Sequence, residues 1–277
     1  MKSDGYGLKH LLLKIYEERG FDFRQYNTDM LERRLTRRLS TTGAKTYQEY
    51  ARVLDVDANE YEKLFGDLLI NVSHFFRDPL VFEFLFKVVL PEMIAYKTQH
   101  SDTYIRTWSA GCAQGEEPYS VAILLTELLG WQLKDYHVTI YATDIDHDAL
   151  NTAKIGEYQE SSVLEVKKGF LDKYFSHNGN YKIKESIKGL VDFSFHDLTS
   201  EKFIAPPRSV FANFDLILCR NTLIYFSKGL QRKVLGNLKT VLNKRGYLVL
   251  GEAETLPMDM QRDFICKDGM CKIYQKL

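Results

Sequence analysis

Five short apolar runs, Tyr104–Trp108, Val138–Ala142, Val191–Phe195, Phe214–Cys219 and Tyr247–Leu250, alternate with stretches of helical period over the last two thirds of the chain. Runs this short, bounded by turn residues, are strands, and strands separated by a helix's worth of residues must be joined by crossovers. An α/β doubly wound, mostly parallel sheet follows. Its last element is expected to be a hairpin, FICKDGMCKIYQ, turning across Asp268-Gly269. From about Gly156 to Gly189 the chain is rich in lysine and turn formers, which marks an insertion between the second and third strands.

Residues 1 to 70 carry no strand signal. Apolar positions recur at helical spacing in Leu8, Leu11, Leu12 and Ile15, and again in Tyr61, Leu64, Phe65, Leu68 and Leu69. Between them Leu31, Leu35 and Leu39 recur every four residues, while Arg33, Arg34, Arg37 and Arg38 are expected on another face of the same helix. The expected organisation is a helical domain over 1–70, a joining segment over 71–90 and a sheet domain over 91–277. Asp78-Pro79 is expected to start a helix, with the aspartate as cap and the proline in the first turn.

The 277 residues balance 37 lysines and arginines against 37 aspartates and glutamates, so no global charge draws the chain to nucleic acid or to an anionic bilayer. Charge asymmetry is local: from Arg33 to Arg52 six basic residues face one acidic residue, Glu49. The opening MKSDGYGLKH has no secretory pattern, and Leu80–Leu90 is too short and too interrupted to span a bilayer, so a cytoplasmic protein is expected. Cys112, Cys219, Cys266 and Cys271 lack paired metal-ligand spacing; Cys266 and Cys271 flank Asp268-Gly269 and can face each other across a hairpin, but in a reducing cytosol two free thiols are expected there.

In an open parallel sheet, ligands sit at the carboxyl ends of the strands. After Trp108 comes SAGCAQGEEPYS, then an apolar helix. The glycines allow close backbone approach, but the spacing fits neither a dinucleotide nor a phosphate loop. Glu116 and Glu117 at the helix start disfavour a pyrophosphate and favour a cation such as an ammonium group; they equally suit the helix dipole alone. Asp144 ends the second strand and can accept from both hydroxyls of a ribose, whereas Asp146 or Asp148 suits a helix cap. Asp197 and Leu198 follow the third strand, where they can meet an adenine or simply form a turn. The fourth strand presents Arg220, Asn221 and then Tyr225, either a clamp for a carboxylate or a structural network.

Four motifs in order, NVSHFFRDP, WSAGCAQGEEPYS, ATDID and CRNTLIYF, resemble the chemotaxis receptor methyltransferase family, known as CheR, over essentially the whole chain. The resemblance implies a Rossmann-like, seven-stranded class I methyltransferase sheet with a small β-subdomain insertion, preceded by a small all-α domain. It implies S-adenosyl-L-methionine as cofactor, S-adenosyl-L-homocysteine as product, no metal, and glutamate side chains of chemotaxis receptors as methyl acceptors during adaptation. On matching positions, Asn71, Ser73 and Arg77 would close over the cofactor, Glu117 would take its methionine end and Asp144 its ribose. Asp197 and Leu198 would border the adenosine, and Arg77, Arg220, Asn221 and Tyr225 would line the reacting centre. Ser73 stands where threonine is common and Asp197 where asparagine is common. The partner would be the cytoplasmic helical bundle of methyl-accepting receptors, met by the Arg33/Arg34/Arg37/Arg38 face, with the protein recruited to membrane receptor arrays. The insertion loop YFSHNGNYKIKE is shorter than in relatives that grip a receptor pentapeptide, so no pentapeptide tethering is expected.

Overall fold

The computed structural model describes residues 5–69, 72–209 and 212–277. It divides into two units, one of Met1–Ile70 with Ile224–Lys233, the other of Asn71–Leu223 with Val234–Leu277.

Among the described residues of the first unit, helices α1 (Gly5–Arg19), α2 (Thr28–Thr42), α3 (Tyr47–Val56) and α4 (Ala58–Leu68) enclose a core of Leu11, Ile15, Phe23, Leu35, Tyr50 and Leu64, all essentially inaccessible to solvent. Asn27, Thr46 and Asp57 cap α2, α3 and α4 by accepting from Met30, Glu49 and Asn59 N–H groups, and Gly43 ends α2 in the left-handed conformation.

The α2 surface corrects one expectation. Arg34 and Arg38 are buried, each 8% exposed, in the same stripe as Leu31, Leu35 and Leu39. At about 100° per residue, Arg38 lies within about 20° of Leu31 and Arg34 within about 60°, so both turn inward. Arg33 and Arg37 face solvent. The inward guanidinium of Arg38 donates Nε to Glu60 Oε1 at 2.9 Å and Nη2 to Glu60 Oε2 at 2.8 Å, and Nη1 meets Asp67 at 3.2 Å. Tyr50 adds a hydroxyl donor to Glu60 at 2.8 Å.

In the second unit, α5 (Pro79–Phe84) runs through a π-helical turn, Leu85–Val89, into α6 (Leu90–Gln99). The widened turn precedes Pro91, which has no N–H to offer; the Leu90 N–H reaches five residues back to Leu85 O. The strands are β1 (Tyr104–Ala110), β2 (His137–Asp144), β3 (Glu157–Tyr158), β4 (Phe175–Asn178), β5 (Asn180–Ile183), β6 (Val191–Phe195), β7 (Phe214–Cys219), β8 (Leu242–Leu250), β9 (Phe264–Asp268) and β10 (Ile273–Lys276). Among the described residues they form a seven-stranded sheet in the order β6-β2-β1-β7-β8-β10-β9 and a three-stranded sheet β3-β5-β4. The first five of the large sheet are parallel, so the strand order reverses between β1 and β7, where the crevice for a ligand opens. The small sheet and helices α9 (Lys168–Tyr174) and α10 (Glu185–Lys188) follow α8 (His147–Ile155), with β4 and β5 turning at Gly179.

β7 is buried along its whole length, as its uninterrupted apolar run requires, and the helix α7 (Glu116–Leu129), which packs on β1, β2 and β6, has ten buried residues. The last hairpin differs from expectation. β9 stops at Asp268 and β10 begins at Ile273, so a two-residue turn at Asp268-Gly269 is not formed; Asp268 Oδ1 instead accepts the Cys271 N–H at 2.6 Å. Cys266 pairs in register with Tyr274, and all four cysteines are free thiols.

Replacing Arg38 by alanine strands the Glu60 carboxylate, 2% exposed, without its bidentate cation. Arg38→Ala is expected to cost about 3–5 kcal/mol in urea unfolding, and Arg37→Ala within about 0.5 kcal/mol. Equal effects at the two positions would show the inward and outward assignment to be wrong.

Candidate active site

The loop after β1 is built for close approach. Gly111 adopts φ +87°, and a Cβ there would lie 2.3 Å from Thr222 Oγ1, so a side chain is excluded on both steric and conformational grounds. Gly115 (φ +92°) is closed off by Ala153 and Phe193 in the same way. Ala113 between them is also left-handed, at φ 47°, which turns its N–H onto Asp144 Oδ2 at 2.8 Å. The other oxygen of Asp144 accepts the Asp146 N–H at 3.0 Å. Each carboxylate oxygen offers two lone pairs, so Asp144 is oriented by the backbone and still has capacity for two hydroxyl donors.

At the start of α7 the two glutamates part company. Glu117 is half-buried: its Oε1 accepts from Ser109 Oγ at 2.7 Å and its Oε2 from Arg220 Nη1 at 3.2 Å. Glu116 points inward, is 1% exposed, and its Oε2 has no partner among the described residues. Burial pushes its carboxyl up to about 7, only partly offset by the α7 backbone and a hydrogen bond with the Ser73 side chain. Ser120, one turn on, donates to Glu116 O and accepts the Phe76 N–H at 3.0 Å, tying the turn before α5 to this helix.

Arg220, at the end of β7, gathers the site. Its side chain is 2% exposed. Nη2 donates to Asp78 Oδ2 at 2.6 Å and to Arg77 O at 2.9 Å, Nη1 meets Glu117, and Nε has no acceptor among the described residues. Asp78 therefore does not cap α5: it stands at φ 60° with no side-chain bond to the helix and spends its carboxylate on Arg220, while Pro79 does open the helix. The Arg77 guanidinium turns back to Val72 O, so its carbonyl, not its charge, reaches Arg220.

The remaining candidates are placed as follows. Asp197 accepts the N–H and the hydroxyl of Thr199, both at 2.8 Å, on Oδ1, so it forms a turn and keeps Oδ2 free of those bonds. Leu198 beside it is half-buried. His196 is buried against Trp108, and burial pushes its imidazole down to about 4, leaving that wall uncharged at neutral pH. Asn221 is left-handed at φ 56°. Tyr225 groups with the helical unit, where its ring lies 5.3 Å from the Arg34 guanidinium and its carbonyl accepts the Asn27 N–H. Asn71 lies outside the described residues.

Four participants escaped sequence reasoning: Ser109, Glu116 as a buried acid, Asp78 as an ion-pair partner, and Glu254. The Glu254 carboxylate, 4% exposed, accepts four backbone N–H groups from Gly251, Asn221, Thr222 and Leu223. A signal did exist for it, since Glu254 follows the fifth parallel strand as Asp144 follows the second.

A doubly wound sheet with anchored carboxylates at the ends of β2 and α7, and a loop that admits no side chain at Gly111, fits the ammonium and ribose of S-adenosylmethionine and defines a class I S-adenosylmethionine-dependent methyltransferase. Residues 71–272 match the CheR methyltransferase SAM-binding domain and residues 7–69 the CheR methyltransferase all-alpha domain. The chain belongs to the CheR methyltransferase family. It is 31% identical to the chemotaxis protein methyltransferase of Borreliella burgdorferi over 93% of this chain and 91% of that one. The corresponding proteins of Salmonella typhimurium and Escherichia coli are 30% and 29% identical, over 90% and 87% of this chain and 83% and 81% of theirs. No cluster of three or more metal-ligating side chains and no helix long and apolar enough to cross a membrane occurs among the described residues.

Because the Glu116 carboxyl is raised from 4.5 to about 7 in the folded chain, the protein binds a proton there that the unfolded chain releases. Stability from this group is fully present below about pH 4.5 and is lost as pH rises through about 7. A loss of roughly 3 kcal/mol is expected across that window, absent in Glu116→Gln. Urea unfolding of both proteins as a function of pH checks it; parallel profiles would place the titrating group elsewhere.

Proposed function

We propose that the chain transfers the methyl group of S-adenosylmethionine to glutamate side chains in the cytoplasmic helical bundle of methyl-accepting chemotaxis receptors, producing glutamate 5-O-methyl esters and S-adenosylhomocysteine. The observation that carries the acceptor assignment is Arg220, a buried guanidinium with an unmet Nε donor, in direct contact with Glu117. When bound, S-adenosylmethionine supplies an electrophilic methyl on a sulfonium. Glu117 holds its ammonium, Asp144 its ribose hydroxyls, Asp197 and Leu198 border the adenosine, and Asn71, Ser73 and Arg77 close over it, with Asn221 beside Arg220.

The acceptor glutamate has an ordinary pKa of about 4.3 and arrives ionised, so no general base is needed. Positioning is the task. Arg220 orients the carboxylate, and its existing ion pairs with Asp78 and Glu117 temper its grip, which matters because an over-tight ground-state salt bridge would slow transfer. On the first unit, Arg33 and Arg37 with Lys45 and Arg52 offer an exposed cationic surface to acidic receptor helices and recruit the enzyme to receptor arrays. The tight β4–β5 turn at Gly179 supports docking without a pentapeptide tether.

Incubation with methyl-labelled S-adenosylmethionine and receptor-containing membranes is expected to give base-labile label released as methanol; label stable to base would exclude a glutamyl ester. Arg220→Ala is expected to lower kcat roughly 100-fold while the S-adenosylhomocysteine Kd changes less than about tenfold. Equal loss in both would make Arg220 a cofactor ligand only. Arg33→Glu combined with Arg37→Glu is expected to slow receptor methylation at low ionic strength and to converge on wild type at high salt.

A further inference from the structure

The ends of β7 and β8 direct four backbone N–H groups at one side chain. Glu254 Oε1 accepts from Thr222 at 2.9 Å and Leu223 at 2.7 Å; Oε2 accepts from Asn221 at 3.1 Å and Gly251 at 2.7 Å. Successive amides converging in this way form an anion-binding concavity, and a carboxylate's lone pairs match four donors. The two loops touch at the same point: a Cβ on Gly251 would lie 2.7 Å from Asn221 N and 2.9 Å from Glu254 Oε2. Asn221 holds a left-handed φ of 56°, a conformation a non-glycine residue keeps only when its surroundings over-determine it. Its own N–H and the next two are all bound by Glu254, so the carboxylate is what over-determines it. Arg220 is the residue immediately before.

We propose that Glu254 is a positioning residue for methyl transfer: by filling the amide cradle at the ends of β7 and β8 it sets the Arg220–Leu223 turn, and hence the guanidinium that orients the acceptor, and it denies that cradle to any other anion. The proposal rests on the assignment of Arg220 to the acceptor. An unfilled four-amide cradle beside Arg220 would compete for the incoming glutamate carboxylate and hold it away from the methyl group. The cradle is thus a second anion site that the chain occupies with its own side chain, leaving Arg220 as the anchor for the substrate.

Glu254→Gln keeps the size but turns an amide NH2 toward backbone donors; Glu254→Ala opens the cradle. Measured on the full chain with receptor membranes, Glu254→Gln is expected to lose at least about tenfold in kcat while its S-adenosylhomocysteine Kd, by calorimetry, stays within about threefold of wild type. Glu254→Ala is expected to regain kcat on addition of formate, saturably, because formate re-occupies the cradle. Wild-type turnover in Glu254→Gln overturns the proposal. So does loss of kcat and S-adenosylhomocysteine affinity in step, or an alanine variant, folded or not, that formate does not restore, since either result describes a brace of the fold alone. Failure of the underlying assignment looks different: Arg220→Ala then turns over normally whatever the Glu254 variants do.

Discussion

The buried guanidinium of Arg220 is the interaction on which the site depends. A charge with 2% exposure persists in a folded chain only when opposite charges and acceptors surround it. Here they come from two separate pieces of sequence: Glu117 from the start of α7, and Asp78 with the Arg77 carbonyl from the turn before α5. Satisfying one arginine therefore fixes the position of the β7 end, the cofactor-side helix and the preceding turn together. Glu117 shares its oxygens between Ser109 and Arg220, so the same contact also ties the end of β1 to the end of β7.

Around that anchor the backbone is unusually constrained. Phe76, Asp78, Ala113 and Asn221 are non-glycine residues with positive φ, and all four lie in turns that border the crevice. Each such residue costs of order 1–3 kcal/mol, and such strain persists where packing and hydrogen bonds over-determine it. The compensations are visible: Ser120 on the Phe76 N–H, Asp144 on Ala113, Glu254 on Asn221, and Arg220 on Asp78. Donors and acceptors held this way are oriented before substrate arrives, which is the form in which electrostatic stabilisation is most effective. Glu116 shows the cost of packing so tightly: its carboxyl is buried beside the site with an unmet oxygen and resists ionisation up to about pH 7.

Much of the architecture was legible in the linear chain. Short apolar runs such as Phe214–Cys219 can be satisfied only as buried strands, and their separation by helices forces a parallel sheet with its crevice between β1 and β7. Glu117 and Asp144 stood out in the sequence because they lie at the ends of elements, where Ser109, Arg220 and backbone N–H groups hold their oxygens. The motif order identified the family, and with it the cofactor.

What the sequence determined by itself was thus everything governed by period and composition: which segments are strands, which helices are amphipathic, and which strand ends carry polar groups. Tertiary structure decided the pairings. Arg34 and Arg38 turned inward because a four-residue leucine spacing drifts around the helix and carries them under it, where Glu60 and Asp67 of another helix receive Arg38. Asp78 left its helix for Arg220, 142 residues away in sequence, and Glu254 joined loops 31 to 33 residues apart. Asp268 took the Cys271 N–H in place of a tight turn. Arg38, Asp78 and Glu254 each reached partners distant in sequence, because an unmet buried donor or charge costs more than a lost cap or turn, and burial is known only once the chain has folded.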